Sequence, residues 1–131
     1  MKNKEFKEKL ISQAFNLAQR IIKLTDKLPN KRSAWVITDQ LIRSATSVGA
    51  NIIEAQAASS KRDFINFLNH SLKSGNETKF WLALAKDLDH KLTPEIGGVL
   101  KEINELKKIL GASNCHIKRK TLLNLNFELQ L

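Results

Sequence analysis

Thr38 to Ala58 reads TDQLIRSATSVGANIIEAQAA, and this stretch decides the fold. Ile37, Leu41, Ala45, Val48, Ile52 and Ala55 recur at three- and four-residue steps, which places them on one face of a helix. Gln40, Arg43, Ser44, Ser47, Asn51 and Glu54 recur the same way and make a polar stripe beside it. A helix facing only water carries Lys and Glu on its polar side. Small and amide residues with one Arg and one Glu fit contact with another surface. Gly49 lies inside the pattern; an interior Gly costs about 1 kcal/mol relative to Ala and marks close approach of another backbone or a kink.

Upstream, Phe6, Leu10, Ala14, Leu17, Ile21, Leu24 and Leu28 follow a bundle-type seam, so a first helix is expected from about Lys4 to Leu28. A second row, Ile11, Phe15, Ala18 and Ile22, lies about 100° around it. That outer row is buried by a second neighbour in the same bundle or forms a subunit interface. Pro29 ends the helix, because it disfavours helical geometry at Leu28. Ser33 is the expected cap of the second helix, which runs to about Ala58.

Downstream, Ser60-x-x-Asp63 has the shape of a capping box and opens a third helix reaching Leu88. Phe64, Leu68, Leu72, Gly75, Thr78 and Leu82 give its inward face. Phe80 to Ala85 is apolar around most of the helix, as for a segment covered on several sides. Thr93-Pro94-Glu95 reads as cap, first helical residue and dipole complement of a fourth helix. That helix carries Ile96, Val99, Leu100, Ile103, Leu106 and Leu110, and Gly111 is its expected terminator. From Leu123 to Leu131 apolar and polar residues alternate strictly, a strand pattern. Such a strand pairs with a second copy, adds to a partner's sheet edge, or lies extended along the bundle. The expected architecture is all-α: an antiparallel up-down-up-down four-helix bundle over 1–111, with an extended tail over 112–131.

Charge bounds the partners. The chain has 22 Lys/Arg and 13 Asp/Glu, a formal net charge of +9. Such an excess draws polyanions through the summed field, or is simply a solvated basic surface. Lys2, Lys4, Lys7, Lys9, Arg20, Lys23, Lys27, Lys31 and Arg32 supply cations near the first helix and the following loop. Lys61, Arg62, Lys118, Arg119 and Lys120 extend them. These are the candidate contacts to RNA or DNA phosphates. There is no helix-turn-helix spacing, zinc finger or set of stacking aromatics, so binding is expected to be phosphate-dominated. A single cysteine, Cys115, fits a reducing cytoplasm. MKNKEFKEKL lacks the apolar core of a signal peptide, and no apolar run approaches a membrane span, so no membrane partner is expected.

Catalytic and metal chemistry finds little support. A carboxylate-bridged metal site in a bundle needs Glu-x-x-His pairs. Of His70, His90 and His116, none lies three residues after a Glu. Nucleophile-elbow and phosphate-loop motifs are missing. No cofactor, metal or enzymatic activity is expected. Arg43, Ser47, Asn51, Glu54 and Glu77 read instead as a structural polar network between the second and third helices or across a subunit boundary.

The residues Thr38-Asp39-Gln40-Leu41-Ile42-Arg43-Ser44-Ala45, followed by Ser47-Val48-Gly49-Ala50-Asn51-Ile52-Ile53-Glu54-Ala55, resemble a known signature. So do Phe64, Phe67-Leu68 and Asn76-Glu77-Thr78-Lys79-Phe80-Trp81-Leu82. Both are similar to motifs of the bacterial four-helix bundle proteins encoded in intervening sequences of large-subunit ribosomal RNA genes. That family includes the accessory variability protein of diversity-generating retroelements. The resemblance covers about Phe6 to Leu110. It implies a cytoplasmic homo-oligomer, a pentamer in the retroelement relative, which binds nucleic acid and a reverse transcriptase, and it implies no catalytic activity. Ala55 stands where many relatives have Gly. The expected function is a non-catalytic, basic, homo-oligomeric bundle that binds RNA or DNA; the alternative is a protein-interaction scaffold without nucleic-acid binding.

Overall fold

Four helices form in chain order: α1 (Lys2–Thr25), α2 (Arg32–Gln56), α3 (Lys61–Leu88) and α4 (Thr93–Leu129). A 3-10 turn, His90–Leu92, leads into α4. The computed structural model describes the backbone of residues 2–129 and the side chains of residues 4–113. Each helix packs on its neighbours in chain order and α4 closes the ring on α1. Cross-helix contacts give the direction. Arg43 meets Glu77 and Val48 meets Ser71, so residue numbers rise on α2 as they fall on α3. The bundle is antiparallel, and among the described residues there is no strand.

The core follows the predicted seams. Leu10, Leu17, Ile21 and Leu24 of α1 are buried, as are Leu41, Val48 and Ile52 of α2. Leu68 and Leu82 of α3 and Ile96, Val99, Ile103 and Leu110 of α4 complete it. Each such side chain contributes about 1.5–3 kcal/mol of burial, which outweighs any local propensity. The interior glycines of α2 and α3 let helices close up. A Cβ on Gly49 would stand 3.4 Å from the Ala14 Cβ, and one on Gly75 would stand 3.5 Å from the Lys107 Cγ. Two aromatics depart from the pattern. Phe6 is 44% exposed and Phe80, expected to be covered, is 59% exposed. Phe80 lies on the outer arc of α3, whereas Phe6 stands half-exposed at a depression it lines with Phe64 and Leu68 of α3.

The helix ends show which signals won. Ser60 caps α3: its Oγ accepts from the Asp63 N–H at 3.1 Å, and the Asp63 carboxylate accepts from the Ser59 N–H at 3.2 Å. Ser33 does not cap α2. Lys31 holds that place in extended geometry, and its carbonyl accepts the first helical bond from the Trp35 N–H at 3.0 Å. The Lys31 N–H is tied to the Pro29 carbonyl at 3.0 Å, so the proline turn delivers the chain into the helix early. Thr93 likewise is no cap. Asp89 starts the preceding 3-10 turn by accepting from the Lys91 N–H at 3.0 Å, and Thr93 is already helical.

The largest correction concerns the C-terminal part. Gly111 does not terminate α4, and 112–129 continue as helix rather than as an extended tail or strand. The reason is cooperative. A helix already nucleated adds residues at little cost, each making its own backbone hydrogen bond. A lone strand in a helical bundle has no ladder to satisfy its backbone groups. Gly111 has ordinary negative φ, so its left-handed option is unused.

Candidate nucleic-acid interface

The predicted phosphate contacts fall into two sets at opposite ends of the bundle. Helix α1 carries Lys4 and Lys7 near its start and Lys23 near its end, about 30 Å away at 1.5 Å per residue, and Lys27 lies in the turn just after it. The antiparallel turns then sort the rest. Lys61 and Arg62 join Lys4 and Lys7, whereas Lys31 and Arg32 join Lys23 and Lys27. Lys4, Lys7, Lys23, Lys31, Arg32, Lys61 and Arg62 are exposed. Two candidates are engaged elsewhere. Arg20 is ion-paired to Glu102 across the α1–α4 seam, and Lys27 Nζ lies 2.9 Å from Glu95. The side chains of Lys118, Arg119 and Lys120, with those of Cys115 and His116, lie outside the described residues.

A third basic surface was missed in the sequence. Lys107 of α4 lays its stem over Gly75 of α3, and Lys79 lies one turn along α3 from that glycine. Burial, and then the charge of Lys79, hold the Lys107 ammonium below its usual range. Neither lysine is ion-paired to a described carboxylate. Lys86 follows Lys79 by seven residues on α3, and the exposed Lys101 and Lys108 are seven apart on α4. Glu102 is turned toward α1, where Arg20 holds it, and Glu77 toward α2, where Arg43 holds it. The seven-residue spacing of Lys79 with Lys86 and of Lys101 with Lys108 was the available signal, and Lys107 had none. It was hidden because their clustering depends on how α3 meets α4.

The polar stripe of α2 packs on α3. Arg43 is ion-paired to Glu77, and its Nε and Nη2 donate to Gln40 Oε1 at 3.0 and 2.8 Å. Glu77 also accepts from Trp81 Nε1 at 3.0 Å. Farther along, the Ser47 and Ser74 hydroxyls are 2.9 Å apart, and Asn51 Nδ2 donates to the Ser47 carbonyl at 2.8 Å. Buried Thr78 donates to Ser44 Oγ at 3.0 Å, and Ser71 donates to the Val48 carbonyl at 2.8 Å. Glu54 stands outside this set: it is exposed and has no described hydrogen-bond partner. These groups use their hydrogen-bonding capacity on one another, which is how buried polar atoms avoid a desolvation cost. The arrangement holds no base beside a nucleophile.

Two apolar depressions complete the surface. One, of about 410 Å³, runs along the α1–α2 seam between Ile11, Phe15, Ile22 and Ile53, over Ala14, Ala18, Gly49 and Ala50. Phe15 is 62% exposed there. The other, of about 210 Å³, opens at the bundle end between Phe6 and Phe64. Among the described residues no group of three or more His, Cys, Asp or Glu could hold a metal ion, and no helix is long and apolar enough to cross a membrane.

Fold and surface define a class: an antiparallel four-helix bundle with a cross-linked α2–α3 polar seam and unpaired lysines on α3–α4. The chain belongs to the 23S rRNA-intervening sequence protein family, whose model matches residues 7–112. It is similar to a solved protein of unknown function from the S23 ribosomal protein family of Bacteroides thetaiotaomicron VPI-5482. The two are 34% identical with a TM-score of 0.76, over 83% of this chain and 97% of that one. No curated protein matches. The motifs on α2 and α3 thus pointed to the family that residues 7–112 match.

Proposed function

We propose that this protein is a non-catalytic, self-associating bundle that binds RNA or DNA through its phosphates. The observation that carries the reading is geometric: Lys107 lies across Gly75, one turn from Lys79, and neither lysine is ion-paired to a described carboxylate. Two cations on adjoining helices with no carboxylate between them repel one another. A phosphate placed between them relieves that repulsion and releases condensed counterions. Exposed Lys4, Lys7, Lys61 and Arg62 add to the same field at one end. The test is binding of a structured RNA and a duplex DNA across a salt series. Affinity should fall steeply with salt, and Lys79→Gln with Lys107→Gln should flatten the slope by about two.

The α1–α2 groove supports self-association. Contiguous exposed apolar surface of this kind marks an interaction site. The pentamer implied by the family resemblance is one size such an assembly takes, and the mass of the protein in solution measures it. The same groove favours the second reading, a scaffold that recruits a protein partner, a reverse transcriptase if a retroelement encodes the chain. Nucleic-acid binding absent at low salt, with the groove still required for assembly, selects that reading.

A further inference from the structure

We propose that Lys107 is a modification site: its amine takes an acyl group from an acyl phosphate that Lys79 seats. The inference deepens the phosphate-binding reading by naming how the α3–α4 face is regulated, and it rests on that reading only for the effect on nucleic-acid binding. Lys107 is set apart from the other lysines by the path of its stem. The Cγ and Cδ lie 3.5 and 3.6 Å from the place a Cβ on Gly75 would take, and Ile103 Cγ2 lies 3.9 Å from that place. The glycine thus lets the stem cross from α4 onto α3. The stem is covered while the residue as a whole is only half-buried, so the amine ends at the surface.

No carboxylate is placed to hold that amine as an ammonium ion. On α4 the residues three and four away are Ile103, Asn104, Leu110 and Gly111; around Lys79 on α3 they are Gly75, Asn76, Leu82 and Ala83. Glu77 and Glu102 are turned away to Arg43 and Arg20, and Glu105 lines a depression with Gln13 and Asn16 of α1. Neighbouring lysines differ in this respect. Lys73 has Glu77 four residues on, and Lys101 and Lys108 flank Glu105 at four and three residues. Burial and the charge of Lys79 both favour the free amine of Lys107 over its ammonium form, and the free amine is the nucleophile.

The same Lys79 draws a donor that carries its own phosphate. A phosphate on the Lys79 ammonium brings the acyl carbonyl of a mixed anhydride beside the neighbouring amine. The neutral Lys107 Nζ attacks the carbonyl carbon. A C–N bond forms, the C–O bond to phosphate breaks, inorganic phosphate leaves with that electron pair, and the amine proton passes to solvent. The product amide is uncharged, so the face loses one cation.

The experiment treats the full chain with acetyl phosphate at neutral pH to low conversion and reads acetyl occupancy at each lysine by peptide mass spectrometry. Lys107 should be acetylated at least about threefold faster than Lys101 and Lys108 of the same helix, less than the full effect of one neighbouring cation. Lys79→Gln should remove that excess, and Lys79→Arg, which keeps the cation, should retain it. An uncharged aryl acetate should give a smaller excess at Lys107, since it offers Lys79 no phosphate. Equal occupancy of the three lysines overturns the site, and so does an excess that persists in Lys79→Gln or is the same for both donors. Lys107→Gln, which holds the uncharged state permanently, should bind a structured RNA with a salt slope shallower by about one. Selective acetylation with an unchanged slope in that variant overturns the regulatory role and leaves the acylation site standing. Failure of wild-type protein to bind RNA at low salt overturns the phosphate-binding reading, and with it the regulatory role, but not the site.

Discussion

Lys107 crosses Gly75 to stand in the electrostatic field of Lys79, and no described carboxylate is ion-paired to either. This relationship has a pH signature. The Lys107 proton is held less tightly in the folded chain than at its usual value of 10.5. In the window just below 10.5 the unfolded chain therefore binds more protons, so this group makes stability rise with pH there. Below that window its destabilisation is fully present. Lys79→Gln removes the like charge, and should raise the melting temperature at neutral pH while making the alkaline rise shallower. Thermal melts of both proteins at several pH values measure this, and identical profiles would show that the two lysines do not interact.

Gly111→Ala should stabilise the protein by about 0.5–1 kcal/mol, the helix-propensity gain at an interior position. A Cβ there meets nothing within 4 Å. If Gly111 instead ended the helix in left-handed geometry, alanine would be destabilising. Urea denaturation of the variant separates the two by sign.

Gly98 makes room for Arg20. A Cβ at Gly98 would lie 2.9 Å from Arg20 Nη2, so alanine there displaces the guanidinium from Glu102. In a double-mutant cycle, Arg20→Ala should cost about 0.2–1 kcal/mol in the wild-type background, as for a part-exposed pair. It should cost close to nothing in Gly98→Ala. Equal costs in both backgrounds would show that the ion pair survives the substitution.

Ala50→Glu places a charge in the α1–α2 groove without touching the core, since Ala50 is exposed. It should leave the circular dichroism spectrum unchanged and convert the assembly to monomer in light scattering. A wild-type protein that is monomeric at all concentrations removes self-association from the account.

How much of this was legible in sequence depended on range. Leu41, Val48 and Ile52 declared their helix through spacing alone, because helical periodicity is local. Ser60 and Asp63 declared the start of α3 for the same reason. Gly111 and the alternating Leu123 to Leu131 misled, because a local pattern there competes with a helix already under way. The Lys79–Lys107 pair and the exposure of Phe6 and Phe80 were hidden, since each depends on which neighbouring helix covers which arc. Arg20 counted as a free cation until α4 brought Glu102 to it.

The most direct test of the central claim is the salt dependence of RNA binding by wild-type protein and by the Lys79→Gln/Lys107→Gln variant. The account predicts measurable affinity at low salt, a steep linear fall of log affinity with log salt, and a slope shallower by about two in the variant. No binding at low salt, or two superimposable salt slopes, would contradict it.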